Sequence, residues 1–417
     1  MSKVLIIGTF ILLFICGFTN PTDSNDTDFQ ERGGLNNLFT RLKSQDTVRV
    51  AYLGGSITAQ PGWRVYSREW LDQQFSETEV VEIHAAIGGT GSPFGAFRLQ
   101  DHVLRHKPDL VFVEFAVNDS NTDPETITQS MEGIVRQIWE QDPKTDICFV
   151  YTIKSDFIEI YESGNLPVSV ETMEKIADHY QIPTINFGPE VLRRVNAGKL
   201  LFKGDEAAKD TIEVFSPDNV HPYTDSGHKV YHEVFVKAFS QFNSGKTSKL
   251  KKHKVKKPLH STPLVHAKMI DWEALNNQGK LDPVRTDGHA QFDKFTRFFE
   301  SVGEGQPDDL ITFSFKGRAF GFYDVIGPGS GSLIVSVDGE EQVYPRFDPY
   351  CTYWRISYKT IGGLSDTLHK VTIRVSDQLL DKEGILAKRN NPLEPIENYK
   401  DHNWYLARLL LDGELVD

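Results

Sequence analysis

The strongest constraint on the fold is a run of short apolar segments separated by amphipathic ones. Between residues 47 and 243 the sequence reads VRVAYLGG, VVEIHAAIGG, DLVFVEFAV, DICFVYTI and IPTINFG. These segments are apolar with almost no alternation, as in strands buried on both faces. The intervening stretches Trp63–Phe75, Phe97–His106, Ile127–Gln141 and Val170–Tyr180 place apolar residues at helical spacing, and His228–Phe242 closes the series. Strands alternating with helices predict a parallel five-stranded sheet covered on both sides, a three-layer α/β architecture. Right-handed crossovers then collect the strand-to-helix loops at the carboxyl edge of the sheet, where open α/β sheets bind ligands. Ser56, the Gly88-Gly89 loop and the Asn118-Asp119 loop are predicted to meet there, although they are far apart in the chain.

The pattern changes after the last helix. Gly245–His260 holds seven lysines and no acid, which predicts a solvated linker over residues 245–262. From 263 to 417 the segments DLITFSFKG, RAFGFYDVIG, SLIVSVDGEE, YWRISYKTI, LHKVTIRVSD and HNWYLARLLLDGE read as strands punctuated by turns, an all-β sandwich of jelly-roll type. The α/β domain is bounded at 35–244. Residues 1–20 carry a positive start and a 15-residue apolar run, Val4–Phe18, which is shorter than the roughly 20 residues of a membrane span. They read as a secretory signal peptide, with a lipid anchor at Cys16 or an uncleaved anchor as alternatives. A secreted, periplasmic or cell-surface location is expected. Beyond this segment only Cys148 and Cys351 remain, so neither a disulfide framework nor a metal site is expected. A net charge of −13 over 417 residues argues against a nucleic-acid partner, which needs a basic face.

The stretch VAYLGGSITAQPGW (Val50–Trp63) ends a strand on two glycines and presents Ser56 at the rim. A serine on a sharp turn is either a helix cap or a nucleophile. The nucleophile needs a base, and SPDNVHP (Ser216–Pro222) supplies one: His221, with Asp218 three residues before it to hold one imidazole nitrogen. Asp225 and His228 form a rival pair, read as a helix-start element. An oxyanion would find donors in the Ser56 N–H, the Gly89 N–H and the Asn118 side-chain amide. Trp63 and Arg98 are candidate substrate contacts at the rim, each equally readable as a helix-surface or packing residue. Glu114 reads as a paired structural carboxylate rather than a group that tunes the site, and Asp119 as a loop or capping residue.

These residues resemble the SGNH/GDSL hydrolases, over roughly residues 45–243. The matching blocks are GGSIT around Ser56, IGGTGS around Gly89, VNDS around Asn118 and DNVHP around His221, in that order. The resemblance implies a flavodoxin-like sheet and a serine esterase or acylhydrolase; separately, no cofactor is expected and no cluster of residues supports a metal. It implies Ser56 as nucleophile, His221 as base, Asp218 as its partner, and Ser56, Gly89 and Asn118 as the oxyanion hole. The sequence departs from the family pattern in GGSIT for the commoner GDS form, in His84 and in Ala116, which leaves Gly88 as a rival to Gly89.

A serine hydrolase joined to a β-sandwich is similar to carbohydrate esterases that carry a jelly-roll domain. The expected substrate is an acylated polysaccharide or oligosaccharide, most simply an O-acetyl ester. A lipid or thioester acylhydrolase and a non-catalytic glycan-binding protein are the alternatives. Tyr344, Phe347, Tyr350, Tyr353 and Trp354 read equally as sugar-stacking aromatics or as sandwich core. Nothing in the sequence addresses oligomeric state.

Overall fold

A computed structural model describes residues 28–205, 212–243 and 249–416. The apolar run with Cys16 lies outside the described residues.

The first domain is built on a six-stranded sheet: β1 (Phe29–Gln30), β2 (Thr47–Gly54), β3 (Glu79–His84), β4 (Leu110–Glu114), β5 (Asp146–Tyr151) and β6 (Thr184–Asn186), in the order β1-β6-β5-β4-β2-β3. The five strands β2 to β6 are parallel, and β1 adds an antiparallel edge. Side-chain alternation splits the strands between two cores. Val50, Tyr52, Leu110, Phe112, Cys148 and Val150 face one layer, with the helix Gly227–Phe242 over them. Ala51, Leu53, Val111, Val113, Ile147 and Phe149 face the other, under the helices Pro124–Gln141 and Val168–Tyr180. Burial on both faces is why these strands are apolar throughout. A two-stranded parallel unit, β7 (Leu200–Lys203) and β8 (Glu213–Ser216), leads into the loop that carries Asp218 and His221.

The segment expected as one helix over 97–106 is broken into Ser92–Phe97, Leu99–His102 and a single 3-10 turn, Leu104–His106. The lysine-rich segment is also not free in solvent. Lys251 pairs backbone to side chain with Asn37 in both directions, at 2.8 Å each way. His253 reaches Asp146 at 2.7 Å and stacks on Trp139. Leu259 and His260 donate their N–H groups to Glu132. The described lysines of this segment are exposed while its backbone is strapped to the α/β domain.

The second domain is all-β. Its strands are β9 (Ala267–Asp271), β10 (Asp282–Arg285), β11 (Ser301–Gly305), β12 (Leu310–Ile326), β13 (Ser332–Val337), β14 (Glu340–Pro345), β15 (Arg355–Ile361), β16 (Thr367–Val375) and β17 (Trp404–Val416), all antiparallel. Two expected strands merge into the 17-residue β12, whose first half pairs with β16 and whose second half pairs with β15. Register shifts against β17 at Gly317/Ala319 and at Tyr323/Asp324 bend it, giving a half-barrel sandwich. Phe313, Phe315, Phe320 and Phe322 fill its interior. Its outer face, with Tyr323, Val325, Tyr405 and Leu410, joins Phe94, Phe97, and Val111 and Val113 of β4 in one continuous core. Cys148 and Cys351 are buried free thiols.

Candidate active site

The turn after β2 places Ser56 at the carboxyl edge of the sheet, at the start of the one-turn helix Ser56–Ala59. A Cβ on Gly55 would lie 1.9 Å from the Asn118 Oδ1, so a larger residue there would displace the Asn118 side chain. The turn is anchored from beneath by Glu114, the last residue of β4. Its carboxyl accepts from Thr58 Oγ1 at 2.7 Å, from Thr152 Oγ1 at 2.8 Å and from the Gly55 N–H. Burial pushes the Glu114 pKa upward against these bonds. Three donors and no cation fit the structural reading of this residue.

His221 and Asp218 approach from the loop after β8. His221 Nε2 lies 2.8 Å from Ser56 Oγ, and His221 Nδ1 lies 2.7 Å from Asp218 Oδ2. Asp218 Oδ1 accepts from the backbone N–H groups of Val220 and His221 at 3.0 and 2.8 Å. This small turn fixes the three-residue spacing and needs Asn219 in the left-handed region, at φ 75°. Partial burial raises the Asp218 pKa, but the His221 and Val220 hydrogen bonds outweigh it and hold the carboxyl at about 2. With Asp218 ionised, the Nδ1 proton is held and Nε2 is left to accept from the serine hydroxyl.

The other rim loops close around Ser56. Gly89 is exposed and left-handed at φ +73°, with nothing within 4 Å of where a Cβ would stand. A Cβ on Gly88 would lie 3.6 Å from the Ser56 Cβ. The Asn118 side chain lies against Gly55. The structure therefore brings Ser56, His221, Asp218, Gly88, Gly89 and Asn118 to one rim. The arrangement can move a proton from a hydroxyl to an imidazole and offers neutral N–H donors nearby.

Two candidate contacts are corrected. Trp63 and Arg98 are both 0% exposed and do not line the rim surface. Trp63 packs among Tyr52, Phe112 and Phe187, with its indole N–H on Thr58 Oγ1. Arg98 donates to the backbone oxygens of Gly54, at 3.1 Å, and Ala85, tying together the ends of β2 and β3. Burial lowers its pKa to about 10. His228 is also internal. Its Nδ1 accepts from the Trp63 backbone N–H at 3.2 Å, and burial lowers its pKa to about 3. The aromatic set divides: Phe347 is buried, whereas Tyr350 and Tyr353 are 47% and 53% exposed.

Sequence reasoning missed the residues that support the rim, Thr58, Thr152 and Tyr358. The Tyr358 hydroxyl, on β15, accepts from the Gly91 N–H at 3.2 Å across a separation of 267 residues. No local pattern signals a contact of that range. Among the described residues there is no group of side chains suited to hold a metal ion and no helix long and apolar enough to cross a membrane.

Residues 52–230 match the model of a family described as GDSL-like Lipase/Acylhydrolase. The whole chain is similar in fold to the crystal structure of a two-domain esterase active on acetylated mannans, co-crystallized with mannopentaose. That likeness covers 94% of this chain and 100% of the other, with a TM-score of 0.68 and 21% identity. A further crystal structure of a two-domain esterase active on acetylated mannans gives a TM-score of 0.69 and 20% identity, over 93% of this chain and 99% of that one. No curated protein matches the sequence.

Proposed function

We propose that the protein is an ester-hydrolysing enzyme that removes O-acetyl groups from a polysaccharide through a Ser56–His221–Asp218 triad, a reading supported by the match of residues 52–230 to the GDSL-like Lipase/Acylhydrolase family model. The observation that carries this reading is the unbroken hydrogen-bond chain from Ser56 Oγ to His221 to Asp218, at 2.8 and 2.7 Å.

In the first step Ser56 Oγ attacks the ester carbonyl carbon while His221 Nε2 takes its proton. Asp218 stabilises the imidazolium through Nδ1. The N–H groups of Ser56 and Gly89 and the Asn118 amide receive the developing oxyanion. Collapse of the tetrahedral species expels the sugar hydroxyl, protonated by His221, and leaves an acyl-Ser56. His221 then activates a water to hydrolyse the acyl-enzyme, which restores the serine.

The carbohydrate assignment is supported by likeness to two-domain esterases described as active on acetylated mannans, one of them crystallised with mannopentaose. The exposure of Gly88 and Gly89 leaves the rim open to a bulky alcohol. An exported location fits a polysaccharide substrate, and the apolar run Val4–Phe18 supports it.

The test is acetate release from acetylated mannan, xylan and other acetylated polysaccharides, by the wild type beside Ser56→Ala. Release by the wild type, reduced on the order of 10⁴-fold or more in the variant, is expected. Release that survives the substitution would remove Ser56 from the mechanism. Preference for long-chain acyl esters over acetate would replace the carbohydrate reading with a lipid acylhydrolase.

A further inference from the structure

The loop that carries Gly89 is tied at two successive backbone groups. The Ser92 N–H donates to the Asp119 carboxyl, at 3.0 and 3.3 Å from its two oxygens. The Gly91 N–H donates to the hydroxyl of Tyr358 at 3.2 Å, and Tyr358 belongs to the β domain. The Tyr358 ring is stacked on Phe94 with centroids 4.8 Å apart and 15° between planes. Packing therefore fixes the ring, and the ring presents its hydroxyl to the loop.

The same interface contains its own comparison. Tyr323 of β12, the register partner of Tyr358, packs on the same Phe94 ring, with centroids 4.7 Å apart and 51° between planes, and is fully buried. Its hydroxyl has no hydrogen-bond partner. Two tyrosines thus share one aromatic neighbour, and only one of them reaches the loop.

We infer that Tyr358 is a positioning residue of the hydrolase, whose hydroxyl, supplied by the β domain, aims the Gly89 N–H at the reacting ester. The inference rests on the oxyanion role proposed for Gly89. A donor lowers the barrier only if it is already in place when charge develops. Gly89 sits on an exposed turn with open space where a Cβ would stand, so no packing on that side restrains it. Gly91, two residues on, is buried, and a buried N–H without an acceptor drives the backbone to find another. Removing the Tyr358 hydroxyl therefore releases the loop toward conformations in which Gly89 points elsewhere. The catalytic apparatus then spans both domains, and the β domain contributes to turnover of an ester that carries no sugar.

The experiment compares wild type, Tyr358→Phe and Tyr323→Phe on p-nitrophenyl acetate, with rates normalised to active sites by burst titration. Tyr358→Phe keeps the ring and its stacking. We expect its kcat to fall roughly tenfold with KM nearly unchanged, and Tyr323→Phe to match the wild type. Affinity for a small boronic acid, which forms a tetrahedral adduct on Ser56, should fall by the same factor, a change that loosened packing alone would not track. Equal kcat in the two variants overturns the inference. So does a Tyr358→Phe enzyme impaired only on polysaccharide, which would make Tyr358 a glycan contact. Amide exchange in the wild type needs no variant: the Gly91 amide should exchange far more slowly than that of Gly89, and equal fast exchange overturns the proposal. A wild type that hydrolyses no ester overturns the triad reading together with this one.

Discussion

At the scale of single residues, the site was legible where chemistry demands a residue type and obscure where burial decides. Ser56, Asp218 and His221 stand out because a serine on a Gly-Gly turn and an Asp three residues before a His are spacings that proton transfer can use. Asn118 follows the same logic, and Asn118→Ala should lower kcat on the order of 10²–10³-fold if its amide receives the oxyanion. Kinetics on a small acetate ester, with unfolding midpoints to confirm an intact fold, would check this. Trp63 and Arg98 were misplaced for a physical reason. A guanidinium can be held by main-chain oxygens, and Arg98 stays in the core with its two terminal nitrogens on Ala85 and Gly54, its Nε unpartnered and no carboxylate beside it. Arg98→Met would strip the guanidinium donors from the Gly54 and Ala85 carbonyls, of which Gly54 keeps the Ile87 N–H at 3.0 Å. A loss of about 2 kcal/mol in urea unfolding is expected, since a buried acceptor left unpaired costs ~1–3 kcal/mol, partly offset by removal of a buried charge. No measurable loss would mean that other groups or water satisfy those carbonyls.

At the scale of elements, continuous apolar strands of five to eight residues were readable, as were helices with a clear periodic face. The strands missed are short ones whose existence depends on a neighbour: β1 with two residues, β7, β8 and β10 with four each, and β9 and β11 with five; the helices Asn36–Leu42 and Gly188–Asn196 were missed as well. The single strand β12 was read as two because its bend falls in the middle of an apolar alternation. Asp119 shows how an element junction responds to pH. Burial raises its pKa to about 7, against the hydrogen bonds from Ser92, and the neighbouring Glu114 adds to the rise. Tyr358 also faces it, its own pKa raised first by burial. Between the ordinary value of 3.8 and about 7 the unfolded chain has lost this proton while the folded chain retains it. Folding stability therefore falls across that window and levels off above it. Asp119→Asn keeps an acceptor for the Ser92 N–H and abolishes the titration. Denaturant unfolding from pH 4 to 8 should show a flatter profile in the variant; parallel profiles would mean that Asp119 ionises normally.

At the scale of the molecule, the chain was read correctly as an α/β hydrolase domain followed by an all-β one, and the relation between them was not readable. Sequence periodicity reports which face of an element is apolar but not what covers it, and here Phe94 and Phe97 of the first domain are covered by Tyr323, Val325 and Tyr405 of the second. A core shared in this way should melt as one unit. Calorimetry is expected to show a single transition, and two resolved transitions would show that the halves unfold independently. The strap through Lys251, His253 and Glu132 adds to this coupling. The shared core also limits how such a protein can be altered over generations. A domain hung on a loose tether can be exchanged for another by recombination at the tether. Here a substitute would have to arrive with a surface already matched to Phe94 and a hydroxyl at the place of Tyr358, so changes on the two sides of the interface must be inherited together.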